Sequence, residues 1–228
     1  QLFNYKIQKW FVKKTKCGVN QQLIAPKLLW LKQNEKNNFK KIHTIFGSYD
    51  FINFKLTGKY SIEHNWALES GLMDFKKKKF TSDLVKLGSI KLSMLPKIFP
   101  SDHILGNISE NLSKELSLEK NVKVIAGCAD HVVSAFSAGI KKSGDVLLKF
   151  GGAGDILIST EKPLNDQRLF LDFHIIPNLF MPNGCMASTG TMLNWFIKNF
   201  FSHSKMPESK IYSYLDKKAS QSNILNNK

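Results

Sequence analysis

The chain reads as an α/β protein, and three observations predict it. A short apolar run, Val122 to Ile125, leads through Ala126-Gly127-Cys128-Ala129 into Asp130-His131 and a small-residue helical stretch, Val132 to Gly139. A second apolar run, Asp145 to Phe150, breaks into Gly151-Gly152-Ala153-Gly154-Asp155 and resumes as another strand. Further on, Leu193, Phe196, Ile197 and Phe200 fall at helical spacing in Thr191 to Phe201. The order is strand, carboxylate at a helix start, helix, strand, glycine turn, strand.

The elements follow in sequence. Residues 1–22 are mixed, with an aromatic-basic run around Trp10-Phe11. Pro26 is expected to open a helix from Lys27 to Asn34, because proline suits a first helical position whose N–H would have no partner. Helices are also expected over Phe39 to Ile45, Tyr49 to Leu56, Ser82 to Leu87 and Ser109 to Leu116. Ser109 would cap the last of these, with Glu110 near the positive helix end. Thr57-Gly58-Lys59-Tyr60 reads as a turn into a short strand. From Asn121 the pattern becomes β-rich, with strands expected at 122–126, 145–150, 155–160, 170–176 and 179–182. A final helix fits Lys210 to Ala219. A boundary fits Lys141 to Asp145, giving one domain over 1–141 and a second over 142–228.

A length of 228 residues and an apolar content of 43% support a real core and argue against disorder. No apolar stretch reaches the ~18 residues of a membrane span. Cys17, Cys128 and Cys185 lack metal or disulfide patterning, which reads as reduced thiols and a cytoplasmic location. The net charge of +15 invites a nucleic-acid reading, yet only one of the 33 basic residues is arginine, Arg168. Arginine supplies the bidentate fork for guanine and phosphate, so dispersed lysines point to a solvated surface and no nucleic acid. Gln1 at the start, and a last stretch from Ser220 to Lys228 without an obvious structural ending, read as the edges of a piece of a longer protein.

The chemistry concentrates at Asp130 and at Gly151 to Gly154. A carboxylate paired with a glycine loop suits phosphoryl transfer to an alcohol. Glycines let backbone N–H groups approach phosphate, and the carboxylate accepts the hydroxyl proton. Each signal has a plain structural alternative: Asp130 as a helix N-cap, the glycines as a tight β-turn. No Gly-Lys-Ser/Thr follows, so this is not a Walker loop. His131 reads either as a ligand to substrate hydroxyl or phosphate, or as a locally bonded helix-start residue. Asp145 and Asp155 flank the strand into the loop, and Asp155 is the better choice for water-mediated contact with a metal ion. Trp30 and Trp66 read as core residues first and sugar-stacking residues second. His43, His64, His103, His174 and His203 show no metal-ligand spacing. Residues 184–190 read as a packing or hinge turn.

Taken together these residues resemble the FGGY carbohydrate kinases, in particular their xylulokinase-like branch. Ala25-Pro26-Lys27-Leu28-Leu29-Trp30 is similar to the family's Pro-Lys-x-x-Trp segment. Asp50 through Leu56-Thr57-Gly58 and Leu72-Met73-Asp74 match two further segments. Ala126 to Asp130 matches the catalytic-aspartate segment, and Phe150 to Gly154 falls where the family carries Gly-Thr-Ser-Gly. The resemblance implies a two-lobed actin-like ATPase (ribonuclease H-like) fold, incomplete at both ends. Residues 1–141 would end the sugar-binding lobe and 142–228 begin the nucleotide-binding lobe.

It further implies ATP-dependent phosphorylation of a small sugar, ketose or polyol. Asp130 would be the general base, His131 a second substrate contact, and Gly151, Gly152, Ala153 and Gly154 the phosphate cradle, with magnesium neutralising charge. The partners would be the sugar and ATP, with homodimerisation an open alternative. Gly152 and Ala153 replace the family's loop hydroxyls, and His131 replaces an asparagine. The first of these departures motivates the rival reading, a non-catalytic sugar- or nucleotide-binding homologue. The early Asp-x-Gly-Thr and late glycine-rich adenosine segments are not among these residues, so the chain reads as a central fragment, inactive alone.

Overall fold

The computed structural model describes residues 5–20, 22–164, 166, 168–202 and 206–222. Gln1, His203 and the end of the tail lie outside the described residues. The chain groups into two compact units, residues 1–147 with 156–184, and residues 148–155 with 185–228.

The first unit opens with the helix Tyr5–Thr15, which sends Phe11 and Val12 into the core. The next helix, Ile24–Asn34, starts ahead of the expected position. Pro26 still sits in its first turn, where a missing N–H costs no intrahelical bond. The expected helix over Phe39 to Ile45 is replaced by a five-residue helix, Lys36–Lys40. The run Ile42-His43-Thr44-Ile45 carries three β-branched residues, which resist helical χ1 angles. Ile45 instead donates its N–H to the Met94 carbonyl at 2.9 Å. The helix Ser48–Thr57 ends at Gly58, whose φ of +71° provides the left-handed cap.

Short strands tie these helices together. Ile62–Glu63 pairs parallel with Ile98–Phe99, and Ile104–Asn107 pairs antiparallel with Lys123–Ile125. Helices follow at Ser82–Val85 and Glu110–Glu115. Ser109 occupies the N-cap of the latter, but its side chain makes no cap hydrogen bond. Glu110 instead pairs with Lys114 and Lys120 on the surface.

A four-stranded sheet orders its strands as Val146–Phe150, Gly154–Ile158, Phe180–Met186 and Phe170–Phe173. The last two are antiparallel, with Met181 opposite Asp172. The strand expected to reach residue 176 ends at Phe173. There the His174 Nδ1 accepts the Ile176 N–H at 2.8 Å and the chain turns. The second unit continues with the helices Gly190–Phe200 and Glu208–Gln221, joined by Tyr212 donating to Asn194 at 3.0 Å. Among the described residues no helix is long and apolar enough to cross a membrane.

Ile62, Leu68, Leu72, Met73 and Leu84 are fully buried in the larger core, which Leu171 and Phe173 complete. Polar groups cross that core. Glu63 caps the helix His64–Glu69, accepting the Asn65 and Trp66 N–H groups, and takes hydrogen bonds from Tyr49 (2.9 Å) and Ser101 (2.8 Å). Asp50 accepts the Glu63 N–H at 2.9 Å. Asn65 meets Phe173 twice, accepting its N–H at 2.7 Å and donating to its carbonyl at 3.1 Å.

Burial raises the Asp50 carboxyl to about 7, against the lowering effect of backbone N–H donors. A raised carboxyl favours the protonated folded state. Its contribution is therefore complete below the ordinary carboxylate range and lost as pH rises through about 7. Replacing Asp50 by Asn keeps the acceptor for Glu63 N–H and removes the titration. Urea unfolding should show wild type losing on the order of 3 kcal/mol more than Asp50→Asn between pH 4 and pH 8.

Candidate active site

Three hydrogen bonds fix the segment ahead of Asp130. Asn53 donates to the Ala126 carbonyl at 2.7 Å, Ala126 N–H reaches His103 O at 2.9 Å, and Gly127 N–H reaches Ser101 O at 3.0 Å. Gly127 turns at φ +79°, a conformation that favours glycine. The helix Asp130–Ser137 then buries Val132 and Ala135 against Leu157 and Met181. Asp130 is the first helical residue, and Ala129 holds the cap position. The capping role expected of Asp130 is thus displaced by one residue. Its exposed carboxylate accepts the next N–H, that of His131, at 2.7 Å and lies 3.5 Å from the same residue's Nδ1.

His131 is bonded across the fold as well as to Asp130. Its Nε2 lies 2.8 Å from Asp172 Oδ2 and 3.8 Å from Glu69 Oε1, while Nδ1 lies 3.5 Å from Asp130 Oδ1. Asp172 is completely buried, and the same Oδ2 accepts from Asn183 at 2.7 Å. Burial alone would lower the imidazole, but the hydrogen bond and charge of Asp172, with Glu69 and Asp130, raise it well above its usual range. Glu69 is also raised, by desolvation first and then by the Asp172 charge. Glu69, His131 and Asp172 bring one ligating atom each within 4.8 Å of one another, a donor set that a cation could use. An imidazole that keeps its Nε2 proton cannot ligate, so a shared proton describes the cluster better.

Glu69 also lines a cavity of about 300 Å³ with Asn20, Gln22, Lys27 and Trp66. Trp66 packs on the core and faces this cavity as well, whereas Trp30 is exposed on its helix. The remaining described histidines lie outside this cluster. His64 contacts Ser101 and is lowered to about 4, chiefly by burial. His103 stacks on Phe99, His174 bonds the Ile140 carbonyl, and His43 contacts Thr44.

The glycine loop lies in the second unit. Gly151 N–H is used within the loop by Ala153 O at 2.8 Å. Its carbonyls are taken by the start of the following helix. Thr189 Oγ1 donates to Gly151 O at 2.9 Å, Thr191 Oγ1 to Gly152 O at 3.2 Å, and Gly190 N–H to Gly151 O at 3.0 Å. None of the four positions 151–154 has a positive φ. A Cβ on Gly154 would meet Thr189 Cγ2 at 2.5 Å, and one on Gly190 would meet Gly151 O at 2.7 Å. The glycines here serve close approach. Asp145 is a turn residue, accepting the Lys141 and Lys142 N–H groups, and Asp155 pairs with Lys149 at 3.2 Å.

Sequence reasoning did not single out Glu69, Asp172, Thr189 or Thr191. Asp172 carried a usable signal: a lone acid inside the apolar strand Phe170-Leu171-Asp172-Phe173 must be paired if buried. The threonines gave none, since only folding brings them onto the loop.

The FGGY family of carbohydrate kinases, N-terminal domain, matches residues 1–137, and the chain belongs to this family. It is 29% identical over 188 residues to the xylulose kinase of Bacillus subtilis (strain 168), covering 82% of this chain and 38% of that protein. The xylulose kinase of Staphylococcus xylosus is 29% identical over 184 residues, covering 79% and 38%. Among solved structures, the xylulose kinase from Rhodospirillum rubrum superposes with a TM-score of 0.86 at 41% identity, covering 94% of this chain and 43% of that one. The glycerol kinase of Plasmodium falciparum, solved with ADP, shares the fold with a TM-score of 0.74 at 21% identity, covering 86% and 40%. The fold is thus the actin-like ATPase fold of these sugar kinases. The chain spans about 38% of the length of the curated relatives it matches.

Substituting Gly190 by Ala should push the loop away from the helix start, because the added methyl meets a backbone oxygen. In hydrogen exchange, Thr189 and Gly190 amides should lose protection while amides at 62–73 keep theirs. Unchanged protection at Thr189 would mean the loop absorbs the methyl.

Proposed function

We propose that the whole protein is an ATP-dependent carbohydrate kinase and that Asp130 is the general base. The observation that carries this reading is the Asp130 carboxylate itself. It is held from below by one backbone N–H, is open to solvent, and stands beside a histidine whose other contacts lead to Glu69 on the cavity wall. A hydroxyl approaching Asp130 would meet a free acceptor oxygen. Proton transfer late in a loose phosphoryl transfer needs only such a weak, well-aimed base.

In this reading residues 1–141 complete the sugar-binding lobe and 142–228 begin the nucleotide-binding lobe. The sugar lies against Asp130 and His131, within reach of the cavity's amide, lysine and indole groups. A small ketose is the substrate class favoured by the likeness to xylulose kinases. Bound ATP would supply the phosphoryl group and magnesium would neutralise its charge. Gly151, Gly152, Ala153 and Gly154 suit that group as a tightly packed cradle, since side chains at Gly154 or Gly190 would collide with its base. Asp155 is already balanced by Lys149, which favours phosphate oxygens over Asp155 as the cation's partners.

One feature favours a second reading. The loop carries no hydroxyl of its own, and Thr189 and Thr191 direct theirs to loop carbonyls. A sugar- or nucleotide-binding homologue without turnover would have such a loop.

In the full-length protein, Asp130→Asn should reduce kcat by about 10³-fold or more while ATP affinity stays within twofold. ADP release over a panel of ketoses and polyols measures it. Wild-type turnover in the variant would remove Asp130 as the base. Sugar binding with no ADP release from the wild type would move the binding-protein reading to first place.

A further inference from the structure

We propose that Asp172 is a positioning residue for transfer, holding the His131 ring against the Asp130 carboxylate so that the base stays aimed; this role rests on the kinase reading above. The geometry is a line of three charged groups. Asp172 Oδ2 lies 2.8 Å from His131 Nε2, and His131 Nδ1 lies 3.5 Å from Asp130 Oδ1. The ring therefore faces a carboxylate at each nitrogen, which calls for an N–H at each.

Asp172 is suited to anchor that line. It is fully buried on the strand Phe170–Phe173, and its next neighbour Phe173 is bonded on both backbone groups by Asn65. Asn183 fixes the oxygen that His131 uses. The other oxygen, Oδ1, is buried with no hydrogen-bond partner among the described residues. The His131 ring and the Asn183 amide both reach the Oδ2 of this buried carboxyl group, and Glu69 stands beside it.

The charged groups facing His131 are Asp130 from its own helix, Asp172 from the strand and Glu69 from the helix His64–Glu69. Further out, Glu63 acts on Glu69, and His64 senses Asp172. With Glu69 raised toward its neutral form, two carboxylates share one imidazolium. The ring orients the Asp130 carboxylate, because His131 contacts it through both ring and backbone. The imidazolium is present below the ordinary histidine range and persists above it, being lost only as pH rises through its raised value.

The test uses the full-length protein, with kcat/KM for the sugar measured against pH and the His131 ring titrated by NMR. Asp172→Asn should lower kcat/KM about 100-fold at neutral pH, the scale expected when a reacting group is misplaced, and leave KM for ATP within twofold. The alkaline limb and the His131 titration should both move down toward the ordinary value of about 6.5. His131→Asn should abolish that limb, and the double variant should lose no more than His131→Asn alone. Should Asp172→Asn fail to fold, the loss of the limb in His131→Asn carries the same test. An unmoved titration and pH profile in Asp172→Asn, or fully additive losses in the double variant, would overturn the positioning role while leaving the kinase reading intact. Absence of turnover from the wild type with every sugar would instead remove the kinase reading and the role with it.

Discussion

The paired hydrogen bonds between the Asn65 amide and the Phe173 backbone hold the first unit's site in place. They dock the helix His64–Glu69 onto the strand Phe170–Phe173, joining segments more than a hundred residues apart in sequence. The side-chain amide takes the place of a neighbouring strand, offering one donor and one acceptor to a backbone edge that would otherwise be buried without partners. Because Glu69 follows Asn65 by one helical turn and Asp172 precedes Phe173, this contact sets both acids beside His131. Glu63 steadies the same helix from its N-terminus by capping it, with Asp50, Tyr49 and Ser101 closing the network.

The cost of such a polar core is visible in its protonation. Asp50 and Glu63 are both raised to about 7, in each case chiefly by burial. Hydrogen-bond donors recover part of the loss, and the apolar shell of Leu68, Leu72 and Met73 does the rest of the holding. Asp130 stands apart from this economy. Its carboxylate meets only His131, through backbone and ring, among the described residues and is otherwise open to solvent, a condition that suits a group taking a proton from an incoming hydroxyl.

The glycine loop follows a different logic. Gly154 is demanded by Thr189 beneath it and Gly152 sits close to Thr191, while Thr189, Gly190 and Thr191 bond the loop carbonyls. Loop and helix start form one local unit, so a change in either is felt by the other. Family membership accounts for the order of these parts along the chain.

By itself the sequence determined the α/β class, the position of Asp130 at a helix start, the glycine turn between strands and the family. Each of these is written in local periodicity, in turn chemistry or in short ordered motifs, which act over a few residues. It misplaced the helix over Phe39 to Ile45, where β-branched residues and a contact to Met94 override the apolar spacing. It also passed over the strand Ile104–Asn107, whose partner Lys123–Ile125 alone makes it a strand. Only the tertiary structure decided that His131 answers to Asp172 as well as to its own helix, that Glu69 joins the histidine to a cavity, and that Thr189 and Thr191 seat the glycine loop. Those relations depend on which distant segments pack together, and hydrogen bonds across such distances leave no periodic trace in the residues that make them.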